Sequence, residues 1–260
     1  MLLRETGFTF GGLHSRSDMG MQYAEKDGHT ITPRIRRNSY EIAGVSGTVL
    51  FDGETRDTIP FEGTLFPAAE PETQAEAQQL LRRVGAWLTD GRQKLIFDYE
   101  PGVYYLAELS AETKWSLKNW FGGELSIRFE AQPYAYSVQE SSATGNITGT
   151  TFSHTFTLQT GEPAPISLQV LNTGTAPITG VQIGDKVKLE NMNVATNKAI
   201  VINLEPPIRA TAGGQNALPY ATRFSPILLS GGRQETVTVT LSYGTGNRGA
   251  QVRISARGRW

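Results

Sequence analysis

Apolar and polar residues alternate strictly through much of the second half of the chain. In ETVTVTLSY, Val237, Val239, Leu241 and Tyr243 alternate with threonine and serine. The same period of two recurs in four other segments, at residues 152–158, 166–170, 200–204 and 252–256. This period is that of a half-buried β-strand, and turns rich in Gly, Pro and Asn separate the segments. The pattern predicts a β-sandwich of the jelly-roll type over residues 151–260.

One segment of the first half has a helical period instead. Its apolar residues recur every three or four positions and form one stripe: Ala77, Leu80, Leu81, Val84, Trp87 and Leu88. Pro71 suits a first helical position, Glu70, Glu72 and Glu76 suit the positive end of the helix dipole, and Asp90-Gly91 suits a stop. The stripe predicts an amphipathic helix packed on a sheet, with Trp87 in the core.

Short apolar runs after this helix predict a β-hairpin. KLIFD and VYYLAEL flank the turn Tyr99–Gly102, whose Pro-Gly pair reverses the chain, and the alternating run GELSIRFEA adds a further strand. Residues 138–150 are polar, almost uncharged and rich in Gly, Ser and Thr, which favours a linker. We therefore predict a mainly β chain: a β-rich α+β domain with one amphipathic helix at 1–137, a linker at 138–150 and the sandwich at 151–260.

Composition and charge narrow the classes of function. The 260 residues are 38% hydrophobic and 19% charged, which excludes a disordered polar chain and a membrane-dominated protein. No cysteine is present, so disulfides and thiolate chemistry are excluded. Residues 141–260 hold 10 Lys/Arg against 5 Asp/Glu, leaving 14 against 20 in residues 1–140. Neither half is basic enough to predict nucleic-acid binding by charge.

Residues capable of catalysis are present but are not arranged in a known motif. The chain has no nucleophile elbow, P-loop or His-Glu-x-x-His pair, and its three histidines do not share a metal-ligand spacing. We predict no catalytic, metal-binding or cofactor-binding residue and no cofactor. Asp98 and Glu100 flank the hairpin turn, where a carboxylate pair could serve glycoside hydrolysis, although turn chemistry and solvation explain them better.

Two groups of arginines are the basic features of the chain. Arg34, Arg36 and Arg37 cluster in one predicted loop, and Arg253 and Arg257 fall on the polar side of the last strand. A charged row on a strand discourages edge-to-edge pairing. A solvated face or a protein interface is favoured over a nucleic-acid track.

Several motifs of the first half, taken in order, resemble the distal tail protein (Dit) family of long-tailed bacteriophages. GFTFGGLHSRSDMGM (Gly7–Met21) resembles the opening of that family. The Trp87-Leu88 pair followed by LIFDYEPGVYYLAEL resembles its Trp-Leu, strand and D-x-E-P-G-x-Y-Y-x-A hairpin. LSIRFEAQPYAYS resembles the strand and Pro-Tyr that close its N-terminal domain. The second half is similar to its galectin-like sandwich through PISLQVLN and FSPILLSGG.

The resemblance implies a structural role in the virion, assembled in the host cytoplasm. Such proteins form a hexameric ring, single or as two stacked rings, that joins the tail tube to the tail-associated hub or lysin protein and often supports the receptor-binding protein. Genomic DNA crosses the ring channel without specific binding, which the acidic balance of residues 1–140 suits because like charges repel phosphate. We expect no membrane partner and no secretory signal. The expected interaction residues are Arg36, Arg37, Asp98, Glu100 and Pro101.

A different class of function stays open for the second half. A sandwich of this kind could be a carbohydrate-binding module that recognises host cell-wall polysaccharide. Tyr220 and Phe224 are the candidate residues for stacking on a sugar, because most other aromatic residues of this half fall at core-facing positions.

Overall fold

A computed structural model describes residues 7–26, 34–36, 39–41, 48–50, 55–110, 115–117, 123–205 and 208–260. The chain divides into two compact units, residues 1–138 and 139–260. The fold is mainly β with a single α-helix among the described residues. In those residues, no helix combines the length and the apolar character that crossing a bilayer requires.

The first unit contains twelve described strands and the helix. They are β1 (Phe8–Phe10), β2 (Leu13–His14), β3 (Met21–Glu25), β4 (Ile35–Arg36), β5 (Ser39–Glu41), β6 (Thr48–Leu50), β7 (Thr55–Arg56), β8 (Ile59–Pro67), α1 (Gln74–Leu88), β9 (Gln93–Phe97), β10 (Val103–Leu109), β11 (Trp115–Leu117) and β12 (Gly123–Ser137). Eight of these strands form one antiparallel sheet in the order β2-β1-β9-β10-β12-β8-β3, with β11 paired to β12. Two separate pairs, β4 with β7 and β5 with β6, complete the unit.

The helix packs most of its predicted stripe against this sheet, whereas Leu81, predicted as part of the stripe, is half-buried and lies outside the core cluster. Ala77, Val84, Trp87 and Leu88 are buried, and Leu80 packs at the margin of the core. The Trp87 ring lies stacked on Phe8, with ring centroids 5.4 Å apart, and its indole N–H donates to the Phe10 carbonyl at 2.8 Å. The predicted amphipathic helix and the core position of Trp87 are confirmed.

The start of the helix was predicted three residues too early. The helix begins at Gln74, and Thr73 is its N-cap, with a side-chain oxygen that accepts a hydrogen bond from the Glu76 N–H at 3.2 Å. The first turn of a helix leaves backbone N–H groups without a partner inside the helix, and a threonine hydroxyl can accept a hydrogen bond from one of them. Pro71 has no side-chain acceptor, so it cannot cap the helix in this way.

The predicted hairpin is present as β9 and β10. Strand β12, which pairs with β10 on the side away from β9, is irregular. Tyr105 pairs with Ala135 and Ala107 pairs with Ala131, so β12 carries extra residues at this point. Pro133 lies among those extra residues, and a proline has no N–H for a ladder hydrogen bond. The sequence of β12 therefore builds the bulge into the strand.

The described residues of the second unit form twelve strands and a short 3-10 helix, Leu218–Tyr220. The strands are β13 (Ser141–Ile147), β14 (Thr151–Thr157), β15 (Ala164–Asn172), β16 (Ile178–Ile183), β17 (Val187–Leu189), β18 (Ala199–Asn203), β19 (Arg209–Ala212), β20 (Gln215–Asn216), β21 (Ala221–Phe224), β22 (Leu228–Leu229), β23 (Gln234–Tyr243) and β24 (Ala250–Ala256).

Two antiparallel sheets of this unit share one apolar core. The seven-stranded sheet has the order β13-β24-β15-β18-β19-β20, with β22 on β15, and the five-stranded sheet has the order β14-β23-β16-β17-β21. Inward residues of both, such as Leu168, Ile202 and Ile254 from one and Val181 and Val239 from the other, belong to a single buried cluster. The unit is therefore a β-sandwich, as the alternation predicted.

The linker prediction was wrong for most of its length. Ser141–Ile147 forms β13, which pairs along its whole length with Ala250–Ala256 of β24. Its inward positions carry small residues, including Ala143 and Gly145, and the ring of Phe152 packs where a side chain at Gly145 would otherwise lie. A strand with so little apolar bulk has a composition close to that of a linker, which explains the error.

Candidate functional site

The tip of the β9–β10 hairpin contains three of the predicted interaction residues. Hydrogen bonds from the Glu100 N–H to the Phe97 carbonyl (3.0 Å) and from the Val103 N–H to the Glu100 carbonyl (3.2 Å) close the turn. Pro101 and Gly102 are exposed at its apex. The Pro-Gly pair reverses the chain here as predicted, because proline presets φ and glycine has no side chain to obstruct the bend.

Asp98 connects this hairpin to the beginning of the described chain. Its Oδ2 accepts a hydrogen bond from the Gly7 N–H at 2.8 Å, and its two oxygens lie 3.1 and 3.2 Å from His14 Nε2. A side chain at Gly7 would lie 2.4 Å from the same oxygen, so the contact requires glycine. Asp98 therefore holds the β1–β2 region against the end of β9.

The hydrogen bonds of His14 define how its ring is used. Its Nδ1 lies 3.2 Å from the backbone N–H groups of both Arg16 and Ser17, and so accepts from them. The proton of a neutral imidazole is then on Nε2, which donates to Asp98. Both ring nitrogens are engaged, which suits a structural contact. Nothing in the sequence connected His14 with Asp98, because the two lie 84 residues apart.

Glu100 has a different partner from Asp98. The Tyr105 hydroxyl lies 3.4 Å from Glu100 Oε2, a long hydrogen bond across the base of the turn. Burial, and to a smaller extent the negative charge of Glu100, raises the pKa of Tyr105 to about 12. Each carboxylate thus has its own structural contact, which supports the interpretation of Asp98 and Glu100 as turn residues over a hydrolytic pair.

Tyr99 adds an aromatic surface to the tip. Its ring stacks on Phe97 with centroids 5.0 Å apart and an interplanar angle of 10°, and 39% of the residue remains exposed. Burial of the hydroxyl, with nearby negative charge, raises the pKa of Tyr99. The tip therefore presents an aromatic ring and a proline beside the Glu100 carboxylate. No pattern in the sequence distinguishes Tyr99 as a surface residue, because its exposure depends on the turn that follows it.

The arginine cluster is described only in part. Arg36 is the last residue of β4 and pairs with Thr55 of β7, while Arg37 lies outside the described residues. Arg34 is exposed, and the Arg56 guanidinium lies 5.4 Å from the ring centroid of Tyr134. The β4–β7 pair thus contains Arg36 and Arg56, and it directly precedes β8 in the chain.

The two candidate sugar-stacking residues lie in different environments. Tyr220 ends the 3-10 helix and is 44% exposed, whereas Phe224 ends β21 and packs against the core of the sandwich. A stacking platform needs the face of a ring to be accessible. Tyr220 has the exposure for this role, and Phe224 contributes mainly to the core.

The described parts of the chain contain no group of three or more His, Asp or Glu side chains close enough to hold a metal ion. His154, which the alternation places on the inward side of β14, is half-buried, with its ring edge-on to Phe156 at 4.6 Å.

Comparison with known proteins defines the class of fold. No protein-family model and no curated protein matches the chain. Among solved structures, the fold of the chain is similar to that of a phage Dit protein over both units. The crystal structure of the Dit protein (gp 19.1) of SPP1, described as a paradigm of the hub adsorption apparatus in phages that infect Gram-positive bacteria, aligns with a TM-score of 0.66. The alignment covers 98% of this chain and 99% of that chain at 14% identity, and confirms for the fold the resemblance seen in the sequence.

Proposed function

We propose that this protein is a structural component of a phage tail: a hexameric hub at the distal end that connects the tail tube to the tail tip. The observation that carries the proposal is the agreement of fold with a phage hub protein over nearly the whole of both chains. A match confined to one sandwich would say little, because β-sandwiches serve many functions. A match through both units in their order is far more restrictive.

A hub of this kind needs surfaces that join unlike partners. A closed ring forms when one patch of each subunit binds a different patch of the next and the rotation closes after a whole number of copies. We assign ring formation to the first unit, with Arg36, Arg37, Asp98, Glu100 and Pro101 at or near subunit contacts. Asp98 would act there by holding the hairpin tip in place through Gly7 and His14.

The proposed partners are the tail tube protein, the tail-associated hub or lysin protein and a receptor-binding protein, in a virion assembled in the host cytoplasm. Genomic DNA would cross the ring without specific contacts. The acidic excess of residues 1–140 supports passage without adhesion, because carboxylates repel phosphates.

The native mass of the purified chain tests the ring. Multi-angle light scattering behind a sizing column should give about 170 kDa, six times the chain mass of 28.4 kDa, or twice that value for two stacked rings. Negative-stain images of the same fraction should show rings with a central hole. A monomer at every concentration, with no ring even when the purified tail tube protein is added, would contradict the proposal.

A pair of matched variants tests the contact assigned to the hairpin tip. Pro101→Arg adds a long cationic side chain at the exposed tip, whereas Gln79→Arg adds the same group on the exposed side of α1. Pro101→Arg should lower the fraction of chains in the ring at a given concentration, and Gln79→Arg should leave it unchanged. Equal ring fractions in the two variants would show that the hairpin tip lies outside the subunit interface, and would not contradict the ring itself.

A further inference from the structure

Strand β14 forms one edge of the five-stranded sheet. It pairs with β23, and no other described strand lies beside it in that sheet. Its seven residues, TFSHTFT, include no proline and no charged side chain, and they pair with β23 without a register shift. Folded proteins usually protect a sheet edge with charges, prolines, bulges or a short strand, because an open edge can pair with another strand. β14 has none of these four protections.

The opposite edge of the same sheet is protected. β21 is only four residues long and includes Arg223, and Pro226 follows it closely. Its pairing with β17 also contains a register shift. The two edges of the sheet therefore differ, and β14 is the edge that is open to a further strand.

The backbone of β14 has its free groups at alternate residues. The Leu241 N–H donates to the Thr150 carbonyl at 2.7 Å, in the same register that pairs β14 with β23. Residues along an antiparallel strand direct their N–H and C=O groups to alternate sides, so the even-numbered residues face β23. The groups that point to the open edge belong to the odd-numbered residues, Thr151, Ser153, Thr155 and Thr157.

The sequence of β14 is nearly symmetric about His154. Like residues lie at equal distances on either side of it: Ser153 and Thr155, Phe152 and Phe156, Thr151 and Thr157. A second copy that adds antiparallel, with a twofold axis at His154, would bring each residue opposite its like. Both members of the two hydroxyl pairs are odd-numbered, so the free N–H and C=O groups of the two edges would meet one another.

The side chains also suit this pairing. The Ser153 hydroxyl lies 2.9 Å from that of Thr238, and the Thr155 hydroxyl lies 2.8 Å from that of Thr236, across the β14–β23 pair. A hydroxyl can donate and accept at once, so Ser153 of one copy can also contact Thr155 of the other. Hydroxyl pairs and aromatic pairs stabilise neighbouring antiparallel strands. Phe152 is half-buried at the open edge, and a second strand would cover it further without burying a charge.

We propose that β14 is a self-association edge, to which β14 of a second copy adds antiparallel about a twofold axis at His154. The two five-stranded sheets would form one continuous sheet, joined by about eight backbone hydrogen bonds, two for each of the four odd-numbered pairs. The same strand of both chains makes every contact, so the interface is isologous. The inference goes beyond the hub function, because a twofold contact cannot relate neighbours within one sixfold ring.

Disulfide cross-linking of the full chain tests the pairing and its register, because the chain contains no cysteine of its own. Ser153→Cys chains are mixed with Thr155→Cys chains that carry a size tag, and the mixture is oxidised. Directly opposite Cβ atoms of antiparallel strands lie about 4.5–5.5 Å apart, whereas diagonal neighbours lie about 7–8 Å apart. Two copies of the same variant would place their cysteines on a diagonal, which is too far for a disulfide without backbone movement.

The matched control replaces Thr155→Cys by Thr240→Cys in the mixture. Thr240 is exposed on the same face of the sheet, but it lies on β23, one strand in from the edge. All three substituted positions are exposed, so the variants should keep the melting temperature of the wild type within a few degrees.

A charge at the open edge gives a second measurement. Thr155→Lys should weaken association, because it brings the ammonium groups of the two copies close together and charges the edge. Thr240→Lys adds the same charge on the neighbouring strand and should leave association unchanged. Sedimentation velocity over a range of chain concentrations compares the two variants.

The mixture of Ser153→Cys and Thr155→Cys should give at least about fivefold more cross-linked chain than the control mixture or either variant alone. No excess at about 100 µM chain, where a dimer of micromolar affinity is populated, would overturn the proposal. So would equal association of the Thr155→Lys and Thr240→Lys chains. Cross-linking does not depend on the ring, since paired chains without a ring give the cross-link and a ring without this pairing gives none.

Discussion

Trp87 stabilises the first unit by two separate interactions. Its ring packs between the helix and the sheet, stacked on Phe8, and is 6% exposed. Its indole N–H also satisfies the Phe10 carbonyl at 2.8 Å. The residue therefore fills space and pairs a backbone group of β1 at the same time.

Substitution of Trp87 should separate these two contributions. Trp87→Ala should lower the free energy of unfolding of the first unit by about 3–5 kcal/mol, the usual cost of emptying a large core position. Trp87→Phe keeps most of the packing but leaves the Phe10 carbonyl without its donor, for a loss of about 1–3 kcal/mol. Urea unfolding followed by circular dichroism measures both. Leu13→Ala, at a 43% exposed position, is the control, and a Trp87→Ala loss below about 1 kcal/mol would place Trp87 outside the core.

Tyr105 should make the stability of the first unit depend on alkaline pH. The folded pKa of about 12 exceeds the ordinary value of 10, so the unfolded chain releases this proton first. The contribution is fully present below pH 10 and is lost as pH rises from 10 to 12. Tyr105→Phe keeps the ring against Phe61 and should lose less stability over that interval than the wild type. Urea unfolding at pH 9 and pH 11 measures this, and identical losses in both proteins would contradict it.

At the scale of single elements, the cap of α1 decides where the helix starts. Thr73→Ala removes the oxygen that accepts from the Glu76 N–H and should cost about 1 kcal/mol. Glu70→Ala, three residues before the cap, should change stability by less than about 0.5 kcal/mol. Thermal melts of the two variants compare them directly. A larger loss of stability for Glu70→Ala than for Thr73→Ala would indicate that the helix begins nearer to Pro71.

Strand β13 gives a second test at this scale, since a linker and a strand respond differently to substitution. A Cβ at Gly145 would lie 2.5 Å from Phe152 Cε2, so Gly145→Val should displace that ring and destabilise the second unit by about 1–3 kcal/mol. Thr144 faces outward on the same strand, so the control Thr144→Val should be tolerated. Equal tolerance of both changes in chemical denaturation would favour a linker after all.

At the scale of the whole molecule, each unit has its own apolar core. Among the described residues, all members of the buried cluster of the second unit come after Gln139, and all members of the cluster of the first unit come before Val138. We expect residues 139–260 to fold when expressed alone, with a cooperative thermal transition measured by circular dichroism. An isolated unit that lacks such a transition would show that its stability depends on the rest of the chain.

Much of the fold follows from patterns that are local in the sequence. Alternation of period two specified five strands of the sandwich, β14, β15, β18, β23 and β24, and the stripe from Ala77 to Leu88 specified α1. Side chains on one face of a strand recur every two residues, and those on one face of a helix recur every three or four, so both patterns are visible in the sequence. The Pro-Gly turn after Glu100 followed from the dihedral preferences of those two residues. Each of these features depends on neighbours within a few positions, so the sequence alone was enough to predict them.

The remaining features depend on residues that are distant along the chain. The contact of His14 with Asp98 and the alignment of Ser255 beside Ser167 arise only when strands pair, and strand β13 has too little apolar bulk to reveal its role without β24. Sheet registers decide which outward side chains become neighbours, because a shift of one residue turns every side chain to the opposite face. The hairpin tip could be predicted as an element, but its anchoring through Gly7 and His14 was decided by the tertiary structure.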